Sequence, residues 1–157
     1  MDDNRYAPPK AVVEGAHDSM EAAPPLWNPN AAASWCLLLT PVFGTSLHLK
    51  NWIALGEAQR ARATWMWLIA AIVVTLGPLA WALMLQTSVH GGFRLVVLAF
   101  LITWYCASAK SQAQFVKERF GDDYPRRGWG MPILVVIGLW IAWLFVAALV
   151  ISARHHA

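Results

Sequence analysis

Two uninterrupted apolar runs constrain this chain more than any other feature of its sequence. Residues 64–85 and residues 131–152 are each 22 residues long and contain no charged side chain. At 1.5 Å per residue, about 20 apolar residues in a helix cross the ~30 Å hydrocarbon core of a bilayer. Both runs are therefore predicted to be membrane-spanning helices, and Gly77-Pro78 predicts a kink in the first of them.

The composition agrees with a membrane location. Hydrophobic residues make up 58% of the 157 residues. Charged residues make up 13%, and this charged fraction is close to half that of a typical soluble domain. Such a composition excludes a mainly disordered chain and an ordinary soluble enzyme. Two cysteines, Cys36 and Cys106, are too few for a secreted disulfide scaffold and do not have a metal-binding spacing.

The two remaining apolar runs are less regular. Pro41 and Gly44 interrupt the centre of residues 31–49, so this run is either a kinked span or a re-entrant helical hairpin that turns near them. Residues 93–109 form a short third span. It continues into residues 110–120, where apolar residues at helical spacing predict a basic amphipathic helix on the membrane surface.

The predicted fold is therefore all-α. It is a small polytopic helix bundle with three spanning helices, one broken N-terminal helix and an amphipathic surface helix. Residues 1–30 contain five of the nine prolines and are predicted to be a disordered tail, whereas residues 31–157 form the integral membrane domain. Asn28-Pro29-Asn30 signals the start of the first helix, and Gly56 signals a helix end.

The distribution of Lys and Arg predicts the orientation. Residues 50–63 and 110–127 hold eight of the twelve basic residues, so this side, up to residue 130, is predicted to be cytoplasmic. If residues 31–49 span the membrane, the N-terminal tail lies outside, with eight basic residues on the cytoplasmic side and four on the outer side. If they form a re-entrant hairpin, the tail lies inside and the division is ten to two. The sharper division favours the hairpin, and the C-terminus is outside in both cases.

Candidate interaction or lipid-contact residues lie beside the break and at the ends of runs. They are Pro41, Gly44, His48, Asn51, Trp52, Glu57, Arg126, Arg127 and Trp129. The first six lie in or just after the broken run, and discontinuous helices line sites at membrane depth. The last three put two guanidinium groups near an indole ring, which is typical of an anchor for anionic lipid headgroups.

The sequence predicts no catalytic, cofactor-binding or metal-ligating residue. It contains no GxSxG, HExxH, phosphate-binding loop or GxGxxG motif. The two clean spans have no ionisable residue at their centre, which argues against a pump or secondary transporter. A net charge of +3 without a clustered basic face does not predict nucleic-acid binding.

Three segments carry a recognisable pattern: WNPNAAASW (27–35), PVFGTSLHLKNWIALGE (41–57) and FGDDYPRRGWGMPI (120–133). They resemble a group of small multi-pass bacterial inner-membrane proteins. The resemblance implies a location in the bacterial inner membrane and carries no activity with it.

These features favour a non-enzymatic integral membrane interaction protein, either an accessory subunit or an immunity protein against a membrane-acting toxin. The alternative is a small membrane enzyme or a carrier for a lipid-soluble substrate, built around the broken first run. The expected partners are anionic lipid headgroups, a membrane or toxin protein, or a second copy of the chain. No cofactor is expected.

Overall fold

The computed structural model describes residues 22–85 and 92–155, and these residues are mostly helical. The helices are α1 (Pro29–Leu38), α2 (Pro41–Ala54), α3 (Ala58–Leu85), α4 (Gly92–Trp104), α5 (Lys110–Phe120) and α6 (Gly130–His155). A π-helical turn, Tyr105–Ala109, joins α4 to α5, so that the three form one continuous helix. The predicted all-α fold is confirmed for the described part of the chain.

Among residues 22–85 and 92–155, two helices are long and apolar enough, by length and composition, to cross a membrane. They are Ala58–Pro78, within α3, and Gly92–Phe120, which comprises α4, the π turn and α5. Helix α3 begins six residues before the predicted run at residue 64 and continues through Pro78. The third predicted run forms a helix together with the basic segment that follows it, as predicted.

The first apolar run is divided into two short helices. Thr40 caps the N-terminus of α2, where its Oγ1 accepts a hydrogen bond from the Phe43 N–H at 3.2 Å, and Pro41 occupies the first turn. The chain therefore turns at Leu39 and Thr40, just before the predicted position. At ten residues, α1 is about 15 Å long, half the thickness of a bilayer core, and α2 has 14 residues.

Gly44 lies inside α2, where its missing side chain lets α1 pack closely. A Cβ atom at this position would lie 2.6 Å from the Ala32 carbonyl oxygen and would overlap the Cys36 Sγ. Gly44 therefore brings the two helices together and does not form the turn. The two helices pack against each other as a hairpin.

Both ends of this hairpin lie at the same end of the bundle. Helix α1 begins after Asn28, whose side chain caps it, and the preceding residue, Trp27, is hydrogen-bonded to Asn51 near the end of α2. The rings of Trp52 on α2 and Phe115 on α5 lie 5.3 Å apart. Residues 26–28, 50–63 and 110–127 therefore meet here, and we call this region the polar end.

Part of the predicted tail packs at the polar end. The Leu26 N–H donates to the Pro125 carbonyl at 2.9 Å, and the Arg127 N–H donates to the Leu26 carbonyl at 2.8 Å. Leu26 and Trp27 are buried, and Trp27 packs with Phe43 and Leu47 of α2. Residues 1–21 of the predicted tail lie outside the described residues.

Helix α5 also packs on protein. Val116, which belongs to its apolar stripe, and the neighbouring Gln112 are almost fully buried. The face predicted to rest on a membrane surface is therefore partly covered by the rest of the chain, while Lys110 and Lys117 stay exposed.

Candidate functional site

A buried polar network joins α2 to α5 and to the segment that precedes α1. Its centre is Asn51, which is 1% exposed. The Asn51 Oδ1 accepts from the Trp27 N–H at 3.0 Å, and the Asn51 Nδ2 donates to the Trp27 carbonyl at 2.8 Å. The same Nδ2 donates to Gln112 Oε1 at 3.3 Å. One amide therefore connects three parts of the chain that are distant in sequence.

Gln112 carries the network from α5 back to α2. Its side chain is fully buried, and its Nε2 donates to the His48 carbonyl at 2.8 Å. Since a buried amide that lacks partners costs about 1–3 kcal/mol, these bonds are needed for Gln112 to lie at this position. The sequence reasoning missed Gln112, although its helical spacing from two apolar residues of the stripe, Ala109 and Val116, is the signal that could have identified it.

His48 ties the start of α1 to the same network. The ring lies 3.1 Å from the Pro29 carbonyl through Nε2, and because a carbonyl only accepts, Nε2 carries the hydrogen. His48 therefore holds the start of α1 against α2 within the hairpin.

Two unpaired ring nitrogens face this region. The rings of His48 and Trp104 lie 5.1 Å apart in an edge-to-face arrangement. Neither His48 Nδ1 nor Trp104 Nε1 has a hydrogen-bond partner among the residues that the structure describes. The two are chemically complementary, since Nδ1 is an acceptor and the indole N–H is a donor.

The spacing along α2 explains why these polar groups converge. Thr45, His48 and Asn51 follow one another at intervals of three residues, which places them on one face of a helix. The Thr45 hydroxyl donates a hydrogen bond to the Pro41 carbonyl at 2.8 Å. All three are buried, so this face holds the fold together and does not present side chains to a substrate.

Trp52 and Glu57 lie next to the network at the polar end. Trp52 is buried, and the Arg60 guanidinium lies 4.9 Å from its ring and 4.4 Å from the ring of Phe115. Glu57 lies 3.8 Å from Arg60, and both side chains are partly exposed, so this ion pair contributes little. The aromatic contacts of Arg60 hold α2, α3 and α5 together at this end.

The three residues of the predicted lipid anchor do not form one cluster. The Arg127 guanidinium lies 4.7 Å from the Trp27 ring, and Lys50 lies 5.8 Å from the same ring. Arg126 lies over Tyr124. The ring of Trp129 lies 6.2 Å from that of Trp35, and both side chains are partly buried against the core of the hairpin. Arg126 and Arg127 therefore share the polar end but have separate aromatic partners.

A cleft of about 440 Å³ lies between α1 and α4. Its walls are formed by Asn30, Ala33, Ser34, Leu37, Leu98, Leu101, Ile102, Trp104 and Tyr105. Apolar side chains form most of the surface, and the polar groups belong to only a few residues. The cleft adjoins the network through Trp104.

Comparison with protein-family models, with curated proteins and with solved structures found no match in any of the three. No group of three or more His, Cys, Asp or Glu side chains in residues 22–85 and 92–155 has an arrangement that could hold a metal ion. Cys36 and Cys106 are both free thiols, the first buried and the second exposed.

Proposed function

We propose that this chain is a non-enzymatic interaction protein of the bacterial inner membrane that binds a membrane-spanning helix of another protein through α6. The observation that carries the proposal is the exposure of α6. All residues from 137 to 146 are exposed, and they cover nearly three helical turns. No side of this stretch is covered by the described part of the chain.

Helix α3 differs from α6 because one of its faces is buried against the rest of the protein. Ala61, Thr64, Leu68 and Ala71 are buried, and they follow one another at helical spacing along one face. On α6, by contrast, Val136 packs against the hairpin, and the following ten residues do not. A helix of this kind offers its whole surface to lipid or to another helix.

The chemistry of α6 favours a helix as its partner. Gly138 and Ala142 are four residues apart, and a Cβ atom added at Gly138 would meet no atom within 4 Å. Small residues at this spacing let two helix backbones approach closely in a membrane, where van der Waals packing drives association. Trp140 and Trp143 are exposed on other sides of the same helix.

The proposed arrangement in the membrane has three spans and a re-entrant hairpin. Helices α3, α4–α5 and α6 cross the bilayer, and the polar end lies on the cytoplasmic side with the N-terminal tail. The hairpin of α1 and α2 enters from that side. Leu37 and Leu38, next to its turn, are 68% and 75% exposed, as expected for side chains that contact lipid. Arg126, Arg127 and Lys50 lie near the anionic headgroups.

The placement of His48 supports a non-enzymatic role. His48 lies in the broken run around which the alternative, a small membrane enzyme, would be built, and the network buries it. A carrier of a lipid-soluble molecule is the second candidate function, and the cleft between α1 and α4 favours it.

Photo-crosslinking in intact inner membranes tests the proposed partner. A photoreactive amino acid replaces Leu139 on α6, and the control carries it at Val73, an exposed position on α3. We expect a discrete crosslinked protein from position 139 alone, and its loss when Gly138 and Ala142 are both replaced by Leu. Crosslinks to lipid alone at both positions would contradict the proposal. A product of twice the chain's mass identifies a second copy, and another mass identifies an accessory complex or a toxin.

A further inference from the structure

The cleft between α1 and α4 changes from polar to apolar along its length. On α1 its wall runs from Asn30 through Ser34 to Leu37, residues that share one helix face. On the other side it runs from Tyr105 to Leu98. If the two helices run in opposite directions, Asn30, Ser34 and Tyr105 lie at the same end of the cleft. That end then presents one amide and two hydroxyl groups.

The contacts around the cleft establish that the helices are antiparallel. Trp27, just before α1, is linked through Asn51 to Gln112 on α5. Cys36, near the end of α1, packs with Leu101 on α4. Asn30 and Ser34 therefore lie at the same end as Tyr105, whereas Leu37 lies at the same end as Leu98.

The π turn places a positively charged residue one turn beyond Tyr105, which lines the cleft. The Lys110 N–H bonds to the Tyr105 carbonyl, five residues earlier, so Lys110 lies one wide helical turn beyond Tyr105. Lys110 is exposed. Such π turns occur often at functional sites, because the extra residue shifts the side chains that follow it.

The cleft opens on the side of a candidate membrane span. Its walls include Leu98 and Ile102, which belong to Gly92–Phe120 and are exposed. A molecule that enters at this position comes from the bilayer. The volume of about 440 Å³ lies within the range of about 300–1,000 Å³ that is common for small-molecule sites.

We propose that this cleft binds one acyl chain of a membrane phospholipid from the leaflet at the polar end. The chain lies against Leu37, Leu98 and Ile102. The headgroup lies near Asn30, Ser34 and Tyr105, and its phosphate faces the Lys110 ammonium group. The inference rests on the proposed membrane location, and it is independent of the helix partner of α6.

Photolabelling of the full chain in liposomes tests the site. The probe is a phospholipid with a photoreactive group midway along one acyl chain, and labelled peptides are identified by mass spectrometry. We expect labels concentrated in residues 30–37 and 98–105. Ser34→Trp fills the cleft and lowers this labelling about tenfold, equivalent to about 1.4 kcal/mol. Ile69→Trp, at an exposed position on α3, leaves it unchanged.

Further variants keep the proposal testable if Ser34→Trp does not fold, and they test the headgroup contact. Leu98→Trp fills the cleft from the other wall if Ser34→Trp does not fold. Lys110→Gln removes the preference for an anionic over a zwitterionic probe, and Lys117→Gln, also exposed on α5, does not. Even labelling of α3 and α4 that Ser34→Trp leaves unchanged would show surrounding lipid only and overturn the site. A lack of labels on both helices would contradict the membrane location itself.

Discussion

The side chain of Asn51 pairs with both backbone groups of Trp27. Its Oδ1 lies 3.0 Å from the Trp27 nitrogen and its Nδ2 lies 2.8 Å from the Trp27 oxygen. This pairing imitates the two bonds that a neighbouring backbone would supply. It fixes the start of α1 beside the end of α2, and so it determines that the first apolar run leaves and returns at the same end of the bundle.

Replacement of Asn51 should weaken the whole polar end. Asn51→Leu leaves the buried N–H and carbonyl of Trp27 without these partners, so we expect a loss of about 2–4 kcal/mol in the free energy of unfolding. Thermal or denaturant unfolding in detergent micelles, followed by circular dichroism, measures it. The control is Gln114→Leu, an exposed amide on α5, with an expected change within about 0.5 kcal/mol. Equal effects of the two variants would show that the pairing with Trp27 is unimportant.

Even the smallest side chain at Gly44 should disturb the hairpin. In Gly44→Ala the added Cβ meets the Ala32 carbonyl and Cys36 Sγ, so α1 and α2 must separate, at a cost of about 1–3 kcal/mol. Gly138→Ala on α6 is the matched control, and its Cβ has free space. We expect its stability to change by at most about 1 kcal/mol. Unfolding midpoints that agree for the two variants would contradict the close approach of α1 and α2.

His48 should stabilise the hairpin through its bond to the Pro29 carbonyl. His48→Leu removes the Nε2 hydrogen that this carbonyl accepts, so we expect a loss of about 1–3 kcal/mol in the free energy of unfolding. His48→Gln keeps an N–H donor for the Pro29 carbonyl and should lose less. Denaturant unfolding in detergent micelles measures both variants, and equal losses would refute the role of this bond.

Local signals predicted the helix boundaries well. Asn28-Pro29 starts α1 because the Asn side chain accepts from two free N–H groups and Pro needs none. Gly56 has a φ of +73°, a conformation in which glycine costs least, and it separates α2 from α3. Such boundaries depend on neighbouring residues only, and a sequence shows those directly.

Contacts between distant residues were not predictable in the same way. Gln112 and His48 are 64 positions apart, and no spacing rule links them. The burial of Leu26 depends on its bonds to Pro125 and Arg127, which only the folded chain brings near. The role of Gly44 was wrongly placed at the turn, because a glycine in an apolar run indicates either a break or a close approach.

The proposed hairpin of α1 and α2 enters and leaves the membrane by the cytoplasmic face. Single-cysteine variants in a background without Cys36 and Cys106 test it, using a membrane-impermeant maleimide on vesicles of known orientation. Ala22→Cys lies before the hairpin and Gln114→Cys lies on α5, and both positions are exposed. Leu38→Cys lies next to the turn.

We predict that Ala22→Cys and Gln114→Cys react from the same side of the membrane, the cytoplasmic one, while Leu38→Cys reacts from neither. The hydrocarbon core shields a thiol at the turn, because α1 is about 15 Å long and ends well inside the ~30 Å core. Reaction of Ala22→Cys and Gln114→Cys from opposite sides would show that residues 31–49 cross the membrane, and would contradict the hairpin.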